Sequence, residues 1–95
     1  MEKLIIPLSG DNYCTWKVQV RMLLINHDLW NIVNGNETIG AGASEKVAAD
    51  FTVRKNKALS TIVLTVSPSL FYLLGDPTDP TVVWGKLENH FQKPC

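Results

Sequence analysis

From Tyr13 onward the apolar residues recur every three or four positions, and this spacing constrains the fold more than any other feature of the chain. Tyr13, Trp16, Val20, Leu23 and Leu24 fall at i, i+3, i+7, i+10 and i+11, which places them on one stripe of an α-helix. Val47, Phe51, Ala58, Ile62 and Val66 repeat the pattern at intervals of 4, 7, 4 and 4, and Ala48 and Leu59 widen that stripe. Val83, Trp84, Leu87 and Phe91 follow at i, i+1, i+4 and i+8. Strand-like alternation survives nowhere against these patterns. Thr61 to Val66 is rich in β-branched residues, but its period joins that of Phe51, so it is read as helix. The chain is expected to be all-α: a small bundle of four to five helices in one domain over residues 1–95.

Punctuation residues divide the pattern. Residues 1–10 read as an extended lead-in around Pro7, and Asp11 or Asn12 can cap the first helix, which fades at Asn26-His27-Asp28. Leu29 to Val33 form a short turn. Residues 34–43 hold three glycines and two asparagines and read as a flexible loop. Ser44 is a candidate N-cap with Glu45 in the first turn, where the helix dipole favours a carboxylate. Ser67-Pro68 and Asp79-Pro80 are two cap-plus-proline starts. Gly75 is a left-handed stop after Leu70 to Leu74, and the last helix runs to about Gln92 before Pro94.

Hydrophobic residues make up 45% of the 95, too many for an intrinsically disordered segment. Nine basic residues balance nine acidic ones, which removes the long-range attraction that a free-standing nucleic-acid or anionic-lipid binder needs. The apolar run at the N-terminus is too short for a signal peptide, and no stretch approaches the ~20 apolar residues of a membrane helix. The expected location is therefore cytoplasmic, with Cys14 and Cys95 both reduced, and the Asn36-Glu37-Thr38 sequon is without consequence.

Catalytic chemistry has few candidates. Cys14 with His27 or His90 is the only nucleophile–base pairing to weigh, and a packed thiol beside two surface histidines accounts for these residues as well. Two histidines and two cysteines scattered over the chain make no metal-ligand spacing, and Gly35, Gly40 and Gly42 lack the Lys-Ser/Thr ending of a phosphate loop. No enzyme activity, cofactor, metal or small-molecule substrate is expected. A direct RNA contact would rest on Arg54, Lys55 and Lys57 with Lys17 and Arg21, and adjacent helical residues fan out instead of forming one patch. Asp50, four residues before Arg54, is placed to pair with it on the helix surface. Trp16 and Trp84 belong to apolar stripes and are expected in the core. Trp30, ahead of the loop, either packs back or presents a contact surface, as do Leu70, Phe71 and Leu74.

Four segments, in order, carry a resemblance. Leu8-Ser9-Gly10-Asp11-Asn12-Tyr13-Cys14-Thr15-Trp16-Lys17 resembles the opening of Gag polyproteins of copia-type LTR retrotransposons, which reads broadly L-x-G-x-N-Y-x-x-W-K. Arg21 to Leu24, then Leu29 to Gly35, is similar to that family's ALL…LWxVVxG segment. Lys57 to Leu64 resembles its kAlxxIxLxl helix, and Val83 to Phe91 its aWxxLxxxF helix. The signature positions here are Tyr13, Trp16, Leu23, Leu24, Ala58, Leu59, Ile62, Trp84, Leu87 and Phe91.

The resemblance implies a retroviral capsid-like N-terminal region of Gag that self-assembles into virus-like particles, with other Gag chains as partners. Family members continue into further helices and often a CCHC zinc knuckle, so this chain is expected to be a fragment of a longer Gag. RNA is then contacted only through downstream regions. A domesticated helical module that binds a peptide or protein is the alternative, and direct RNA binding ranks last.

Overall fold

The structure, a computed structural model, describes residues 5–91, and over these the chain is an all-α bundle. Helix α1 spans Tyr13–Asn26, a single-turn α2 spans Trp30–Val33, the long α3 spans Glu45–Leu64 and α4 spans Pro80–His90. A 3-10 segment, Pro68–Leu73, joins α3 to α4. The N-terminal and C-terminal ends of the chain, including Gln92, Pro94 and Cys95, lie outside the described residues.

Side-chain caps set the starts of α3 and α4. The Ser44 hydroxyl accepts from the Val47 N–H and starts α3, and the Asp79 carboxylate accepts from the Thr81 N–H and starts α4 with Pro80 in its first turn. Asn12 occupies the α1 cap position, but its side chain turns backward: it accepts from the Ser9 N–H at 2.9 Å and donates to the Pro7 carbonyl at 3.0 Å. It therefore braces the lead-in and leaves the helix end uncapped. Gly75 adopts a φ of 64°, the left-handed stop that the sequence indicates.

The core is organised around the C-terminal end of α3. The Thr65 carbonyl accepts two hydrogen bonds, from the Trp16 indole N–H at 2.8 Å and from the Leu8 backbone N–H at 2.9 Å. The Ser67 N–H returns the second link to the Leu8 carbonyl, so Leu8 and Val66 form an isolated parallel β-bridge. Leu8 is completely buried. The lead-in is thus a structural arm of the bundle, and it anchors the beginning of the chain to a point 58 residues later by way of Leu8 and Val66. Five aromatic rings continue the core in a row: Phe91 on Tyr13 at 5.2 Å, Tyr13 on Trp16 at 6.1 Å, Trp16 on Trp84 at 5.5 Å and Trp84 on Trp30 at 5.3 Å. This row joins α4, α1 and α2. Two polar ties complete it: the Thr81 hydroxyl to the Ile32 carbonyl at 2.9 Å, and the Lys86 ammonium to the Leu74 carbonyl at 3.2 Å.

Several sequence expectations are corrected. Residues 68–73 form 3-10 geometry instead of an α-helix, because the prolines at 68 and 77 and the Gly75 stop leave too few residues to establish α-helical bonding. Val47 is 53% exposed and lies off the core, and only from Phe51 onward does α3 pack against it. Leu74 is 1% exposed and packs inside the bundle. Cys14 is half-buried and disulfide-bonded, where the sequence reading expected a reduced thiol. Among the described residues no helix is long and apolar enough to cross a membrane.

Candidate functional site

Nine of the ten signature positions are buried: Tyr13, Trp16, Leu23, Leu24, Ala58, Ile62, Trp84, Leu87 and Phe91. Leu59 packs partly against them. These residues build the fold and present no surface. The positions considered for contact divide differently. Trp30 is partly buried with its edge on Trp84, Leu70 is partly packed against the core, and Phe71 remains 40% exposed beside the more exposed Tyr72.

Most of the basic positions are already engaged. Arg54 reaches across from α3 to the Glu37 carboxylate with both ends of its guanidinium, at 3.0 Å for Nη2 to Oε1, and also donates to the Asp28 carbonyl. This fork replaces the expected Asp50 pairing, because Arg54 faces the 34–43 loop and the turn after α1. The loop is thereby pinned at its centre. The bond from Arg54 holds the Glu37 carboxyl below its ordinary value, and Glu37 in turn raises Arg54. Lys55 lies 3.8 Å from Asp79 at the start of α4. Lys17 pairs with Glu88 at 3.3 Å and sits 5.8 Å from the centre of the Tyr13 ring. Lys57 and Arg21 make no ion pair among the described residues, and they stand on different helices. Burial, and secondarily the Glu88 carboxylate, push the Tyr13 phenol up to about 12. Among the described residues no three His, Cys, Asp or Glu side chains converge on a point where a metal ion could be held.

One apolar surface that the bundle leaves uncovered lies on α1. Val18, Met22 and Ile25 stand at i, i+4 and i+7 and are each 46–48% exposed. At about 100° per residue they centre roughly 180° from the buried stripe of Tyr13, Trp16, Val20, Leu23 and Leu24. Helix α1 is therefore apolar on two opposite sides, and the bundle uses one of them. Most surface helices carry a polar outer face. Ile25 also lines an open cleft of about 620 Å³, whose other walls are Asp28, Trp30, Asn31 and the Glu37–Arg54 pair. Sequence reasoning followed the dominant stripe of α1 and passed over this second one, although its spacing is just as visible.

Residues 8–34 match the family described as Domain of unknown function (DUF4219). The match begins at the Leu8 bridge and ends at the cap of α2, so it contains the bracing arm, both faces of α1 and Trp30. No curated protein and no solved structure matches the chain.

Proposed function

We propose that this chain is a capsid-like, non-enzymatic helical domain of a copia-type Gag, which acts by associating with other copies of itself into virus-like particles. The observation that carries the reading is the doubly apolar α1. A helix that is apolar on two opposite sides has one face too many for a solitary bundle, and a second protein surface is what such a face packs against. The ordered series of Gag-like segments supplies the class of protein in which that surface has a use. The exposed Phe71 and Tyr72 offer a second contact region on the 3-10 segment. Direct RNA recognition is disfavoured, since Arg54, Lys55 and Lys17 spend their charge inside the molecule.

Sedimentation velocity across a wide range of protein concentration tests the reading. A weight-average coefficient that climbs with concentration is the expected result. A monomer at every concentration up to the solubility limit overturns it.

A further inference from the structure

We infer that Asn34-Gly35 is a self-modification site, at which the asparagine deamidates through a succinimide only while the 34–43 loop is released from the Glu37–Arg54 fork. The site is independent of the self-association reading. Asn34 is the one asparagine in the chain that a glycine follows, and both residues are exposed. In such a pair the backbone nitrogen of the glycine attacks the side-chain Cγ of the asparagine, because no Cβ obstructs the approach. The bond from Gly35 N to Asn34 Cγ forms and the Cγ–Nδ2 bond breaks. The Gly35 amide proton passes to the departing nitrogen, which leaves as ammonia. Water then opens the five-membered imide at either carbonyl and gives aspartate or isoaspartate. Water is the only co-reactant, and nothing is oxidised or reduced.

The folded turn withholds this reaction. Asn34 closes α2 with φ −82° and ψ −1°, which brings the Gly35 nitrogen to the same side as the nitrogen of Asn34 itself. Ring closure needs it beside Cβ instead, about a third of a turn away around the Cα–C bond, since substituents on a tetrahedral carbon stand that far apart. Three hydrogen bonds of the turn oppose the rotation. The Gly35 N–H donates to the Ile32 carbonyl at 3.3 Å, the Asn36 N–H to Asn34 Oδ1 at 2.9 Å and the Glu37 N–H to the Asn31 carbonyl at 2.8 Å. The long-range restraint is the fork from Arg54 on α3, which holds the Glu37 carboxylate only three residues beyond Asn34. Releasing Glu37 leaves the turn with its short-range bonds alone. The two products differ in consequence. Aspartate keeps the backbone and takes the net charge from zero to minus one. Isoaspartate also routes the backbone through the former side chain and adds one carbon between α2 and Glu37, so Glu37 no longer meets Arg54 in the same register. A loop that has once reacted this way closes less well afterwards.

Ageing the full chain tests this. It is incubated at mildly alkaline pH, and aspartate and isoaspartate at residue 34 are followed over time by proteolytic mapping and mass spectrometry. The folded parent is compared with the same chain unfolded in guanidinium chloride, with Glu37→Gln and with Trp16→Phe. The folded parent should react at least about tenfold more slowly than the unfolded chain, because the reactive conformer exists only in a minor opened state. Glu37→Gln keeps the shape of the side chain but removes its charge, and should raise the folded-state rate about three- to tenfold. Trp16→Phe weakens the core without touching the loop, and should leave the rate within about twofold of the parent, since local opening does not draw on global stability. If the folded parent reacts as fast as the unfolded chain, the turn withholds nothing and the inference fails. If Glu37→Gln is no faster than the parent, the fork is not the restraint. If Trp16→Phe accelerates the reaction as much as Glu37→Gln does, modification follows global unfolding and the fork has no part in it.

Discussion

Replacing Trp16 by phenylalanine removes three things at once, and their sizes can be estimated separately. The indole N–H bond to the Thr65 carbonyl is lost, but that carbonyl keeps its bond from the Leu8 N–H, so nothing is left unsatisfied and the loss is about 1 kcal/mol. The smaller ring leaves a void in a site that is 1% exposed. Since a complete Trp→Ala truncation costs about 3–5 kcal/mol, deleting the second ring costs roughly 1–2 kcal/mol. The stacking on Trp84 at 5.5 Å weakens without vanishing, a further loss of about 0.5 kcal/mol. The total is about 2.5–3.5 kcal/mol. A domain of this length has roughly 5–14 kcal/mol in all, so the variant folds but loses a large share of its margin. Urea unfolding followed by far-ultraviolet circular dichroism measures it, and the midpoint should fall by about 1–2 M with an unchanged slope. A loss below about 0.5 kcal/mol would refute the argument, since the Thr65 junction and the aromatic row would then carry no weight.

Other outcomes follow from the same geometry. Gly75→Ala forces a side chain into a φ of 64°, and should cost about 1–2 kcal/mol in the same assay, with Gly75→Asn costing less. Glu37, whose folded-state carboxyl titrates below its ordinary 4.5, contributes stability at neutral pH that is lost as pH falls toward that lower value. The stability gap between the parent and Glu37→Gln should therefore close on acidification, and a gap constant from pH 7 to pH 3 would contradict it. Tyr13, pushed up to about 12 from 10.0, stays protonated in the folded chain after the unfolded chain has ionised. Stability should accordingly decline as pH rises from about 10 toward 12, and phenolate absorbance should show the Tyr13 phenol ionising late in the folded chain.

What could be read in advance was what depends on near neighbours in the chain. The buried stripe of α1, the Ser44 and Asp79 caps and the Gly75 stop all follow from residues within one or two turns of each other. The features that escaped are long-range. Nothing local in Leu8 announces a bridge to Val66, and nothing near Arg54 distinguishes Glu37, 17 residues away, from Asp50, four residues away. Val47 shows a different limit: periodicity says which residues share a face, but not how far along a helix the neighbouring elements extend. The outer stripe of Val18, Met22 and Ile25 was legible throughout. It required asking what occupies the far side of a helix whose near side was already explained.

The sparse burial in the first half of α3 predicts that the molecule has more than one melting behaviour. Its fully buried residues are Ala58 and Ile62, so the turns from Glu45 to Val53 are held chiefly by the partly buried Phe51 against the core and by the loop that Arg54 and Glu37 hold in place. A helix of that length is marginal in water by itself. Amide hydrogen exchange should therefore separate this region from the rest, with residues 45–53 opening and closing many times for each global unfolding event. Protease nicking should begin in the adjoining loop for the same reason. Protonating Glu37 releases this unit first, and the aromatic row from Phe91 to Trp30 remains folded behind it.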